Sequence, residues 1–230
     1  MAIYAIGDLH LSLSGEKPME IFGSKWENHA EKLREGFSCV KDTDTTVLCG
    51  DLSWGMNFAE SVEDFRFVHS LPGKKILIKG NHDYWWSTMS KMRQFLKENG
   101  FDSIEIMNNN SFTADRISLC GTRGWFYEEE TGGEHDKKIL SREVGRLKAS
   151  LNAAETGKKA VFLHYPPVFC NYHCDEILAV LKEYEVRHCY YGHIHGKGIP
   201  AAFNGWKNGT EFRLVSADAV NFTPQLVRVE

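Results

Sequence analysis

Apolar positions along this chain fall into two kinds of run. Five are short and unbroken. Ile3 to Ile6 stops at Gly7, Thr45 to Cys49 at Gly50, Lys75 to Lys79 at Gly80, Ala160 to Leu163 at His164, and His188 to Tyr191 at Gly192. Each predicts a buried strand bounded by a turn signal. Between them the apolar residues take helical spacing: His29, Leu33 and Phe37 in 26–40; Phe58, Val62, Phe65 and Val68 in 57–70; Met89, Met92, Phe95 and Leu96 in 87–98; Leu140, Val144, Leu147 and Leu151 in 136–155; Ile177, Leu178 and Leu181 in 175–184. Pro72-Gly73 and Asn99-Gly100 supply stop signals. Strands alternating with helices predict βα units and an α/β fold.

Two regions break the alternation. Ile104 to Gly121 holds three short strand-like runs with turns at Asn108-Asn109-Asn110 and Asp115-Arg116, and Phe203 to Val229 reads as strands turning at Asn208-Gly209 and Pro224. Both are expected to add antiparallel strands to a sheet. Residues 127–138, with Glu128, Glu129, Glu130 and Gly132-Gly133, predict a mobile loop. No repeat or linker divides the chain, which predicts one domain over 1–230.

Composition narrows the partners. A net charge of −4 leaves no global basic field to hold nucleic acid or an anionic membrane. No apolar run approaches the roughly 20 residues that span a bilayer, and the N-terminus lacks a signal-peptide pattern, so a cytoplasmic location is expected. Without a secretory signal, the six cysteines do not predict a disulfide framework. Cys49, Cys120 and Cys189 read as small buried hydrophobes, and Cys170, His173 and Cys174 lack a fourth ligand for zinc.

The residues that follow the strands change the picture most. They are Gly7-Asp8-Leu9-His10, Gly50-Asp51, Gly80-Asn81-His82-Asp83, His164, and Gly192-His193-Ile194-His195. Asp, Asn and His bind divalent metals through O and N, and folding alone does not call for so many polar groups behind apolar strands. In an extended chain i and i+2 share a face, so Asp8 with His10, and His193 with His195, can each reach one ion. Asp51 can bridge two. The thiolate-free set favours Mn, Fe, Zn, Co or Ni. Two ions ~3.5–4 Å apart suit in-line phosphoryl transfer. His82 is the candidate general acid, with Asp83 expected to fix its tautomer.

The ordered set GDLH, GD, GNHD, a lone His and GHIH resembles the calcineurin-like metallophosphoesterase superfamily, from Gly7 to His195. The resemblance implies a four-layer α/β/β/α sandwich with mixed sheets and a dimetal site at the C-terminal ends of the strands. It implies one ion on Asp8, His10, Asp51 and His195, a second on Asp51, Asn81, His164 and His193, and His82 as proton donor oriented by Asp83. Protein Ser/Thr phosphatases of the superfamily carry GDxxDRG and GNHE. Here Gly50-Asp51-Leu52-Ser53-Trp54-Gly55 and Gly80-Asn81-His82-Asp83 stand instead, so the chain looks more like the compact bacterial phosphohydrolases and phosphodiesterases.

The expected activity is hydrolysis of a phosphomonoester or phosphodiester by hydroxide formed at two divalent ions, on a small-molecule or nucleotide-like substrate. The rivals are a non-catalytic scaffold of the same fold that binds a protein partner, and a slow nucleotide-binding regulator. Trp54, Tyr84, Trp85, Trp86, Trp125, Phe126, Tyr127 and Tyr165 follow the motifs or adjoining strands and are expected near the pocket rim. Of these, Trp54, Tyr84 and Trp125 are the named candidates for substrate contact, with Arg123 as a phosphate clamp.

Overall fold

The computed structural model describes residues 1–15, 17–126 and 133–228. In chain order its strands and α-helices are β1 (Ile3–Ile6), α1 (His29–Gly36), β2 (Thr45–Leu48), α2 (Phe58–Ser70), β3 (Lys74–Leu77), α3 (Met89–Glu98), β4 (Ile104–Ile106), β5 (Phe112–Ala114), β6 (Ile117–Thr122), α4 (Glu134–Asn152), β7 (Lys159–Leu163), β8 (Val168–Phe169), β9 (Tyr172–His173), α5 (Asp175–Glu183), β10 (His188–Tyr191), β11 (Gly205–Lys207), β12 (Thr210–Leu214) and β13 (Gln225–Leu226). One sheet runs β13-β1-β2-β3-β4 and the other β11-β12-β10-β7-β6-β5, and β8 and β9 form a small hairpin of their own.

The unbroken apolar runs have a simple cause. Both faces of each central strand are covered, so the alternation of side chains buries nearly every position, Tyr4, Lys74 and Lys159 excepted. Ile3 and Ala5 of β1, Val47 of β2, Ile76 of β3, Ala160 and Phe162 of β7 and Tyr190 of β10 meet between the sheets. Their neighbours Ile6, Leu48 and Leu77 turn outward onto Leu33, Phe65, Val68, Met92 and Phe95 of α1, α2 and α3. On the second sheet Val161, Leu163, Cys189 and Tyr191 turn outward onto Leu140, Leu147, Leu151, Ile177 and Leu181 of α4 and α5. The layers are therefore helix, sheet, sheet, helix, as the resemblance implied. Phe162 stacks on Tyr190 at 5.6 Å between ring centroids inside the inter-sheet layer.

The irregular regions correct one expectation. β5 and β11 are antiparallel edges as anticipated, and β13 runs antiparallel to β1. β4, β6 and β12 instead pair in parallel, with β3, β7 and β10 respectively. The turn signals were placed correctly, since Asn109, Asp115, Arg116 and Asn208 all have positive φ. Local turn chemistry does not reveal which distant strand becomes the neighbour. The β8–β9 hairpin around Cys170 has no counterpart in the sequence reading. Residues 127–132, with Tyr127 and the Glu128–Glu130 run, lie outside the described residues.

Register gathers the strand ends. Ile6 pairs with Leu48 and Leu48 with Leu77, while Leu163 pairs with Tyr191 and Tyr191 with Leu214. The two sheets meet at this end, where the Gly7 amide donates to Val215 O at 2.8 Å and the Ala217 amide donates to Gly7 O at 2.9 Å. This junction draws residues 216–218 onto the end of β1.

Candidate metal centre

Three of the five motifs leave their strands through a forced backbone. Asp8, His10, Asp51 and His193 have φ of 59°, 45°, 51° and 71°. Such left-handed values cost a non-glycine residue on the order of 1 kcal/mol or more and cluster at functional sites. Asp8 and His10 therefore do not share a face by extended alternation, which was the sequence argument. They converge because the chain turns at each of them. The glycines make room: a Cβ at Gly80 would strike the Asp51 carboxylate, and one at Gly192 the Asp8 carboxylate.

Two groups of ligand atoms result, each with its members within 4.8 Å of one another: Asp8, His10 and His195, and Asp8, Asp51 and His164. His195 Nε2 lies 3.3 Å from Asp8 Oδ1 and 3.3 Å from His10 Nε2. Asp51 Oδ2 stands 3.7 Å from His10 Nε2 and 3.5 Å from His164 Nε2, between the groups. Asn81 Oδ1 lies 2.6 Å from His164 Nε2. The His193 ring sits 5.1 Å from that of His164, and its amide donates to Asp8. All seven predicted ligands thus meet at one end of the sandwich, with Asp8 in both groups.

The hydrogen-bond chemistry fits a cation. His164 Nδ1 donates to Cys49 O at 3.0 Å, since a carbonyl can only accept. Nε2 of a neutral His164 ring then carries a lone pair aimed at Asn81 Oδ1, itself an acceptor. With Asn81 Oδ1 and His164 Nε2 both as acceptors 2.6 Å apart, a cation between them would satisfy both. The electrostatics agree. Asp8 and Asp51 are 0% and 1% exposed. Burial, and then the Asp8 charge, push the Asp51 carboxyl up to about 8. Burial, and then the neighbouring His164 ring, hold His193 down to about 3. Burial opposes charge on His195 too, but Asp8 and Asp218 outweigh it and raise that ring to about 10. Buried carboxylates crowded together are relieved by metal cations.

Asp218 is the residue the sequence reading missed. It is 1% exposed. Its Oδ1 accepts from His195 Nδ1 at 2.9 Å and its Oδ2 from the Gly196 amide at 2.9 Å. A carboxylate behind a metal-ligating histidine fixes the tautomer and raises the basicity of the other nitrogen. Ser216-Ala217-Asp218 carries no motif, and only the junction of the two sheets brings it here.

Asp83 calls for a correction. It was expected to orient the His82 ring. Both of its oxygens are taken elsewhere: Oδ2 by the amides of Asp51 and Gly80 at 3.0 and 2.7 Å, Oδ1 by the Leu52 amide and Trp85 Nε1 at 2.9 and 3.0 Å. Asp83 splices the loop after β2 to the loop after β3, setting Asp51 beside Asn81. Burial, and then Asp51, push its carboxyl up to about 6. The His82 ring is instead 3.3 Å from Tyr84 Oη through Nδ1, tilted against Trp54 at 4.5 Å and 5.7 Å from the His10 ring.

The named aromatic residues separate. Trp54 stacks on His10 at 4.9 Å and lines a groove of about 420 Å³ with His10, Met19, Phe22, Trp26, His82 and His195. Tyr84 is half exposed beside His82. Trp85 is buried against Phe65, so it is core and not rim. Trp125 packs on Tyr165 at 5.5 Å and donates to Asp136 at 3.2 Å. Arg123 lies over Trp125 at 4.9 Å and 3.5 Å from Glu143. Neither Arg123 nor Trp125 lines the groove.

Among solved structures, protein TT1561 of Thermus thermophilus shares 12% identity at a TM-score of 0.57, covering 98% of this chain and 97% of its own. That likeness is one of fold. The Aquifex aeolicus protein AQ665 shares 17% identity at a TM-score of 0.49, covering 98% and 95%. No curated protein matches the chain. A family model for calcineurin-like phosphoesterases matches residues 1–197, from the first strand through the last histidine of the site. With its layered fold and its Asp–His–Asn cluster at the strand ends, the chain belongs to the calcineurin-like phosphoesterase family.

Proposed function

We propose that the chain is a dimetal phosphohydrolase that cleaves a phosphomonoester or phosphodiester, with His82 as general acid. The observation that carries this reading is the convergence of Asp8, His10, Asp51, Asn81, His164, His193 and His195 at one end of the sandwich. His10, His195 and Asp8 would hold one ion, and His164, Asn81, Asp51 and His193 the other, with a carboxylate shared between them. Bound there, divalent ions would neutralise charge on the phosphate oxygens and lower the pKa of water.

The side chains supply the rest. Asp8 and Asp51 set the spacing of the two groups. Asp218 and Cys49 O fix the tautomers of His195 and His164, keeping both Nε2 atoms directed into the site. His82 stands beside His10 and opens to the groove. From there it delivers a proton to the departing ester oxygen, a contribution of roughly 10²–10⁴-fold. The Trp54 face and Tyr84 flank that position, which suits an apolar or planar leaving group. A small-molecule ester fits a groove of this size.

The test is hydrolysis of p-nitrophenyl phosphate and its bis ester by the manganese-loaded protein. Asp51→Asn should lose metal and activity together. His82→Ala should retain metal and slow alkyl esters more than nitrophenyl esters. Full metal occupancy without turnover of any phosphate ester would sink the reading and favour a scaffold.

A further inference from the structure

A second polar pocket opens at the ends of β3 and β6 and contains none of the seven ligands. It holds about 200 Å³, several times the ~30 Å³ of a liquid water. Its charged lining is Lys79, Arg123, Arg146 and Glu143. Three cations against one carboxylate leave the pocket at +2, in a chain whose net charge is −4. Glu143 is 0% exposed and already committed: it pairs with Arg146 Nη1 at 2.6 Å and Arg123 Nη2 at 3.5 Å and accepts from Thr122 Oγ1. Arg123 Nε is buried without a hydrogen-bond partner. Among the described residues, no ion pair or side-chain hydrogen bond is formed by the Lys79 ammonium. The N-terminus of α3 borders the same space through Thr88 and Met89 and has no acidic residue in its first turn. Thr88 Oγ1 caps the Lys91 amide at 3.4 Å, and the amides of Met89 and Ser90 before it have no intrahelical acceptor.

Clustered like charges with unspent donors are costly unless an anion joins them. A guanidinium edge, an ammonium and helix-terminal amides together match a tetrahedral oxyanion. We infer that the Lys79–Arg123–Arg146 pocket binds a phosphate-class oxyanion, separate from the phosphorus that is cleaved. The pocket shares a wall with the metal centre: Lys79 lies two residues before Asn81, and Arg123 O accepts the His164 amide at 3.1 Å. Two sources can supply this chemistry, a second phosphate on the substrate or free phosphate.

The first measurement is calorimetric titration of inorganic phosphate into the metal-stripped full chain, which removes the metal centre as a competing site. Binding should weaken at least tenfold in Arg146→Gln and in Lys79→Gln and recover in Lys79→Arg, with melting curves confirming that each variant is folded. Glu143→Gln should bind phosphate more tightly than the wild type. Absence of binding, or equal binding by the wild type and both Gln variants, overturns the inference. Crystals soaked in selenate should show anomalous density between Lys79 and Arg123, and density confined to other sites overturns it equally.

The source is read in the manganese-loaded protein. If the substrate brings the anion, Arg146→Gln raises KM for an aryl phosphate bearing a remote second phosphate and leaves that for the plain aryl phosphate unchanged. If free phosphate is the ligand, it alters turnover of the plain ester in the wild type and not in Arg146→Gln. The titration needs no turnover, so failure of the hydrolase reading leaves it intact.

Discussion

Asp218 shows how much one side chain outside every motif can contribute. Its carboxylate meets the ring of His195 and the amide of Gly196 and does not itself line the groove. Asp218→Asn keeps the shape but replaces a charged acceptor by a neutral one. Metal affinity should fall about 10–100-fold, measured by competition with a chelating dye, and excess manganese should restore activity. Unchanged affinity would show that Asp218 only packs. Asp83 acts on the backbone instead. Asp83→Ala strands four donors, of which three are backbone amides next to ligands, so it should lower stability by about 2–4 kcal/mol and metal occupancy with it. His82→Ala, which touches neither network, should leave both unchanged.

Helix ends show the same economy one level up. The C-terminal end of α2 is closed by a charge from the next strand. Lys75 is 0% exposed, and its Nζ donates to the carbonyls of His69, Leu71 and Gly73 at 3.3, 2.5 and 2.7 Å. A cation there also suits the helix dipole. Lys75→Met leaves buried carbonyls unpaired and should cost about 2–4 kcal/mol in urea denaturation at pH 7. Burial lowers this ammonium to about 8, against about 10.4 in an unfolded chain. Between those values the unfolded state holds more protons, so this group adds stability as pH rises from about 8 to about 10. Wild type should show that upward slope relative to Lys75→Met. A constant difference between the two across this range would refute the assignment. At the other end of α2, Asn57 accepts the Glu60 amide at 3.1 Å as an N-cap, as the helix-start rules anticipate.

For the molecule as a whole, the site sits where two sheets touch, so its candidate ligands belong to both halves of the sandwich. Asp8, Asp51 and Asn81 follow strands of the first sheet, and His164, His193 and His195 follow strands of the second. A bound ion therefore ties the sheets together. Manganese at about a hundred times its Kd should add about 2.7 kcal/mol, a rise in Tm of about 5–10 °C for a chain of this size. A chelator should reverse the shift, and Asp51→Asn should not show it. An equal rise in Asp51→Asn would place the metal elsewhere. No helix of the described residues is long and apolar enough to cross a membrane.

Much of this protein was legible along the chain, because burial on both faces of a parallel strand imposes unbroken apolar runs, and Asp, His and Asn behind them are the residue types a metal site calls for. β1, β2, β3, β7 and β10, and the five helices between and beside them, could be placed from periodicity alone, and the seven residues that converge from their motifs behind the strands and the family resemblance those motifs carry. Three things waited for the tertiary structure. The parallel pairing of β4, β6 and β12 depends on which strands are neighbours, and no local signal encodes that. The roles of Asp83 and Asp218 depend on which donors come within hydrogen-bond reach across loops far apart in sequence. The basic pocket depends on Lys79, Arg123 and Arg146 arriving on one surface from a strand end, a loop and a helix. Periodicity reports whether a side chain is buried; only the packed fold fixes what it is buried against.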